Sequence, residues 1–107
     1  MPVFCVTFKC RPGTREAFLE KLTAEGIVDA CRGEEGNLGY TYYLAAGNDT
    51  DLLLIEKWQD IGAVMKHARQ GHMARMDEIK ADYVTDMAIE PYETGKAGDR
   101  PQSPKQD

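Results

Sequence analysis

Along residues 3–10 the side chains alternate, with Val3, Cys5 and Thr7 on one side and Phe4, Val6, Phe8 and Cys10 on the other. A two-residue period rich in β-branched and aromatic residues predicts a strand. Arg11-Pro12-Gly13-Thr14 punctuates it: Pro12 lacks a donor, Gly13 allows unusual dihedrals, and the Thr14 hydroxyl is placed to cap a helix. The period then lengthens. Phe18, Leu22, Ile27, Ala30 and Cys31 share a broad apolar stripe, which predicts a helix from about Arg15 to Cys31 with a drift of phase near Gly26.

Gly33-Glu34-Glu35-Gly36-Asn37 ends that helix. Leu38 to Leu44 alternates again, with Leu38, Tyr40, Tyr42 and Leu44 opposite Gly39, Thr41 and Tyr43. The turn residues Ala46 to Thr50 lead into a third strand, Leu52 to Trp58, so the two form a hairpin. Asp60 is placed to cap a helix through about Ala68, Gly71 breaks it, and a helical piece with Met73, Met76 and Ile79 precedes a last strand, Tyr83 to Ile89. This order, strand, helix, strand, strand, helix, strand, is the split βαβ or ferredoxin-like α+β plan: a four-stranded antiparallel sheet with helices on one face. The third strand is apolar on both sides, with Leu52, Leu54 and Trp58 opposite Leu53 and Ile55. The helices cover one face only, so the other is expected to pack on a second copy in a homodimer.

Composition adds boundaries. Residues 93–107 hold one hydrophobic residue, Ala97, and are expected to form a polar, flexible tail behind a single domain over residues 1–92. Thirteen Lys and Arg against eighteen Asp and Glu give a formal charge of -5, which argues against nucleic acid as a partner. No uninterrupted apolar run, Leu52 to Ile55 included, is long enough to span a membrane, and Met1-Pro2-Val3-Phe4 does not open a signal peptide. Cys5, Cys10 and Cys31 are odd in number and lack metal-type spacing, so free thiols in a reducing cytoplasm are expected.

Four fragments carry a family resemblance: Arg11-Pro12-Gly13 leading into Arg15-Glu16-Ala17-Phe18; Glu35-Gly36-Asn37-Leu38-Gly39-Tyr40; Glu56-Lys57-Trp58-Gln59-Asp60; and His67 five residues before His72. In this order and spacing, over roughly Val3 to Glu90, the chain resembles the antibiotic biosynthesis monooxygenase domain family. The resemblance implies a dimeric α+β barrel with a pocket between sheet and helices in each subunit. It also implies chemistry of several kinds, since some members oxidise quinols or polycyclic phenols with molecular oxygen and no cofactor, some degrade haem, and one branch processes a phosphorylated signalling sugar. Gly71-His72-Met73 departs from the Ser-Pro-His-Phe common in the family. The Asn, Trp and His of the haem-degrading members correspond to Thr7, His67 and Asp77, which disfavours that route.

His67 is the foremost candidate base, because a neutral imidazole removes a proton near neutral pH without large tuning; the alternative is packing at a helix edge. His72 lies about 500° further round a continuous helix, so it shares the site only if Gly71 resets the geometry. No metal is expected, since paired helical ligands usually stand four apart and no third is evident. Glu56 shares a strand face with Leu52, Leu54 and Trp58, where it acts in catalysis or forms a salt bridge to an Arg or Lys. Tyr40 and Tyr42 can stack on a planar substrate or donate to an oxyanion, and Trp58 and Met65 complete the expected substrate-binding set, with plain core packing as the alternative. The leading expectation is a cofactor-independent monooxygenase of a small aromatic or quinol-like molecule. Its rivals are a proton-shuttling isomerase that pairs His67 with His72 and takes phosphate donors from Lys66, Arg69 and Arg75, and a non-catalytic ligand-binding dimer.

Overall fold

The structure is a computed structural model that describes residues 1–94. Its elements are β1 (Pro2–Cys10), α1 (Arg15–Ala24), α2 (Ile27–Arg32), β2 (Asn37–Leu44), β3 (Asp51–Trp58), α3 (Ile61–Ala68), α4 (Gly71–Tyr83) and β4 (Val84–Glu93). The four strands form one sheet in the order β2-β3-β1-β4, with each neighbouring pair antiparallel. This is the expected α+β ferredoxin-like arrangement.

The face toward the helices is set by alternation. Val6, Phe8 and Cys10 of β1 and Leu52, Leu54, Glu56 and Trp58 of β3 are buried, and the register sets Val6 opposite Leu54 and Phe8 opposite Leu52. Phe18 and Leu22 of α1 close over them, and the Phe18 ring meets Phe8 edge-on at 5.6 Å. Burying each such side chain contributes about 1.5–3 kcal/mol, so this strip anchors the helices. Buried Arg15 ties α1 to the hairpin through its Nη1, which donates to the carbonyls of Asn48 at 2.8 Å and Asp51 at 3.3 Å.

Several local expectations change. The first helix divides at Gly26, whose φ of 75° turns the chain out of α1 and lets α2 start on a new axis. Thr14 makes no side-chain cap; its hydroxyl donates backward to the Arg11 carbonyl at 2.7 Å and closes the turn instead. Asp60 does cap α3, where its Oδ1 accepts from the Ala63 amide at 2.8 Å. An irregularity in the β2–β3 register between Asn37 and Gly39 leaves Leu38 exposed rather than in line with Tyr40. Finally, β4 runs four residues past Ile89 because β1 supplies backbone partners as far as Pro2, which stands opposite Glu93. Pro91 is tolerated there because β4 is an edge strand. The expected tail lies, from residue 95 onward, outside the described residues.

On the other face of the sheet Cys5 is opposite Ile55, Thr7 opposite Leu53 and Val3 opposite Tyr92. Val3, Cys5, Leu53 and Ile55 are only half-buried, and Tyr43 and Tyr92 are exposed. No helix among the described residues is long and apolar enough to cross a membrane.

Candidate functional site

Between the sheet and α3 and α4 lies a cavity of about 310 Å³. Phe4, Val6, Phe8 and Leu54 give it an apolar floor, Met73 and Met76 roof it, and Asp77, Lys80, Met87 and Ile89 also line it. Three of its lining residues carry candidate chemistry: His67, Glu56 and Tyr40.

His67 is placed by two local features. The Asp60 cap starts α3 so that Ala63 and His67, one turn apart, are its buried residues. Gly36, at φ 85°, carries the chain against that helix so closely that a Cβ there would stand 2.6 Å from the Ala63 Cβ. The close approach brings in Glu34, two residues earlier. Its Oε2 lies 2.8 Å from His67 Nδ1 and 2.8 Å from His72 Nε2. A break between α3 and α4 lets His72 reach this carboxylate, which a continuous helix would forbid, but the break falls at Arg69 and Gln70; Gly71, expected to make it, is instead the first residue of α4.

The other edge of the His67 ring faces Glu56, with Nε2 4.0 Å from Oε1. The expected Arg or Lys partner of Glu56 is not found among the described residues. Instead the Trp58 indole Nε1 donates to Glu56 Oε1 at 2.9 Å. Burial pushes the Glu56 carboxyl above its usual range, although the Trp58 hydrogen bond and the neighbouring His67 oppose the shift. Burial likewise raises Tyr40 and Tyr42, which keeps both phenols protonated.

The expected substrate-binding residues separate. Tyr40 lines the cavity and meets His67 edge-on at 6.0 Å between ring centroids. Tyr42 is not among the lining residues, but its hydroxyl stands 3.5 Å from that of Tyr40. Trp58 is fully buried behind the wall, 4.7 Å from the His67 ring, where it supports Glu56 and His67 rather than facing a ligand. Met65 is a correction: it is 54% exposed and does not line the cavity. Two residues before His67, it lies about 200° round α3 and points away. Met73 and Met76 take the place expected of it.

The phosphate donors of the isomerase reading are elsewhere as well. Lys66, Arg69 and Arg75 do not line the cavity, and Arg75 is engaged by Glu25 and Glu78. Lys80 is the cation that does line it, paired with Asp77 at 2.8 Å.

Glu34 escapes sequence reasoning because it sits in a run of turn residues, where an acidic side chain reads as solvated. Cys31 escapes it too. Buried at the end of α2, it brings its Sγ into a group with Glu34, His67 and His72 whose donor atoms all lie within 4.8 Å of one another. Burial pushes its thiol up to about 12.

A family model described as antibiotic biosynthesis monooxygenase matches residues 1–78. A Bacillus subtilis (strain 168) protein named "Putative monooxygenase YcnE" is 33% identical over 72 residues, which span 67% of this chain and 74% of that one. Among solved structures, a "putative antibiotic biosynthesis monooxygenase" from Deinococcus radiodurans superposes with a TM-score of 0.78 at 27% identity, covering 95% of this chain and all of its own. PA3566 from Pseudomonas aeruginosa reaches the same TM-score at 23% identity, with 89% and 94% coverage, a likeness of fold.

Proposed function

The chain belongs to the antibiotic biosynthesis monooxygenase family, and on that premise we propose that it oxidises a small aromatic or quinol-like molecule with molecular oxygen, without a cofactor, using His67 as the base. The observation that carries this reading is the 2.8 Å contact between Glu34 Oε2 and His67 Nδ1 at the wall of the cavity. A carboxylate accepting from Nδ1–H fixes the imidazole tautomer whose Nε2 lone pair is free, and that nitrogen stands 4.0 Å from Oε1 of Glu56, which lines the cavity as His67 does.

In this reading His67 Nε2 takes a proton from an activated C–H or O–H group, leaving an electron-rich anion. The anion passes one electron to oxygen, and the resulting radical pair combines to a peroxide. For an activated methylene, loss of water from the peroxide then leaves a carbonyl: CH₂ plus O₂ gives C=O plus H₂O, with all electrons supplied by the substrate. Tyr40, held protonated by burial, donates to the substrate oxygen as negative charge develops. The proton held on His67 Nε2 then returns to the departing oxygen, with Glu56 beside that nitrogen in the cavity wall, so the base regains its starting state. The apolar floor suits a flat ring, and a cavity of about 310 Å³ is small among ligand sites of roughly 300–1,000 Å³.

The assembly that accompanies this reading is a homodimer joined through the sheet face bearing Cys5, Leu53 and Ile55, which no helix among the described residues covers. Oxygen-uptake screening with quinols, anthrones and sugar phosphates tests the activity. The proposal expects uptake with a quinol or an anthrone and no added cofactor. Binding without uptake, or conversion of a sugar phosphate without oxygen, would count against it.

A further inference from the structure

We propose that Cys31, Glu34, His67 and His72 form a binding site for a divalent transition cation of borderline softness, zinc first. Their donor atoms, Sγ, a carboxylate oxygen, Nδ1 and Nε2, lie within 4.8 Å of one another. In a tetrahedral zinc site, bond lengths of about 2.0–2.3 Å put neighbouring donors roughly 3.3–3.6 Å apart. The two 2.8 Å contacts to Glu34 Oε2 therefore open by about half an ångström, and a pair at the 4.8 Å limit closes by little more than about one ångström. Those are side-chain movements, and they require no change in the fold.

Charge and donor type agree. One thiolate and one carboxylate neutralise a divalent cation, so a largely buried site acquires no net charge. Sulfur with two imidazoles and one carboxylate suits zinc or cobalt(II) better than magnesium or calcium, which prefer oxygen ligands. The ligands come from three separate elements, α2 with the turn after it, α3 and α4, so spacing along one helix could not disclose them. Cys31 would give up its proton on binding, as coordinating thiols do.

An outer shell and an entry route are present. With Nδ1 on the metal, His67 carries its proton on Nε2, directed toward Glu56 Oε1 at 4.0 Å, and a carboxylate behind a ligating histidine is the usual supporting partner. His72, at 22% side-chain exposure, and Glu34 line a second cavity of about 330 Å³ with Gly33 and Gln70, so an ion need not cross the substrate cavity. Occupancy and a free Nε2 lone pair exclude each other, so the loaded protein is the inactive form. That consequence rests on the reading of His67 as the base; the metal site itself does not.

Cobalt(II) titration of the full chain, stripped with a chelator, tests the site without any substrate. The expected result is one ion per chain, a thiolate-to-cobalt charge-transfer band in the near ultraviolet, strong visible bands of four-coordinate cobalt, and loss of all of them on adding zinc. Cys31→Ser should lose the charge-transfer band. His72→Ala, at the partly exposed start of α4, should weaken cobalt binding at least tenfold, and it keeps the test open should Cys31→Ser fail to fold. Absence of stoichiometric uptake would overturn the proposal, as would a charge-transfer band that survives in Cys31→Ser or an affinity unchanged in His72→Ala.

Discussion

Glu34 and His67 stand 33 positions apart in the chain and 2.8 Å apart in space, joined Oε2 to Nδ1. The Glu34 carboxylate is nearly buried, so the contact is shielded from competing water. If it fixes the tautomer of the base, Glu34→Ala should lower kcat by roughly a hundredfold with little change in KM, because the substrate does not touch Glu34. Steady-state kinetics on a turned-over substrate, read beside circular dichroism to confirm folding, would check this.

Gly36 holds the turn that delivers Glu34. A Cβ there meets the Ala63 Cβ at 2.6 Å, and its φ of 85° is unfavourable for any L side chain. Gly36→Ala should therefore destabilise the protein by about 2–4 kcal/mol, strain and overpacking together, and should reduce activity as the turn moves off α3. Gly26→Ala should cost less, about 1 kcal/mol, since its φ of 75° is strained but nothing stands within 4 Å. Urea unfolding of both variants would separate the two cases.

The ion pair between Arg75 on α4 and Glu25, at the end of α1, links two helices. Arg75 donates from Nε at 2.7 Å and from Nη2 at 2.8 Å, and these bonds, with a further one from Lys21, hold the Glu25 carboxyl down at about 2 against an ordinary 4.5. A folded value below the unfolded one means stabilisation that is present above pH 4.5 and lost as pH falls toward 2. Melting temperatures of wild type and Arg75→Ala should thus differ at neutral pH and converge in acid. The gap should be small, since the pair is exposed to solvent.

The strands were legible because alternation of Val6, Phe8, Leu52 and Leu54 with less buried neighbours is a local signal, and the turn residues between them limit their length. Asp60 was legible for the same reason, since a cap acts within one turn, whereas the break expected at Gly71 falls just before it, at Arg69 and Gln70. Thr14 makes no cap because its backbone, at φ -117° and ψ -5°, is not in the extended region that a capping residue such as Asp60 takes. His67, Glu56 and Tyr40 could be singled out by residue type and face. Glu34 and Cys31 could not, because what brings them to the histidines is the approach of Gly36 to Ala63, a tertiary contact that leaves no periodic trace. Met65 failed for a simpler reason: neighbours in sequence on a helix are not neighbours on its surface.

The uncovered sheet face yields a prediction about assembly. With Cys5, Leu53 and Ile55 half-buried and Tyr43 and Tyr92 exposed on the side away from the helices, light scattering should give twice the chain mass at micromolar concentration. Ile55→Asp should give monomer mass with the helical circular dichroism retained. A wild-type chain that runs as a monomer would remove the barrel from the account.

Removal of the substrate proton by His67 Nε2 is the step that starts the proposed reaction. Its most direct measurement is the rate of oxygen consumption by metal-free wild type and His67→Ala on the same quinol or anthrone, with the fold of both verified. The substitution should lower the rate by about a hundredfold or more, with exogenous imidazole restoring part of it. A folded His67→Ala protein that consumes oxygen at the wild-type rate would contradict the assignment of His67 as the base.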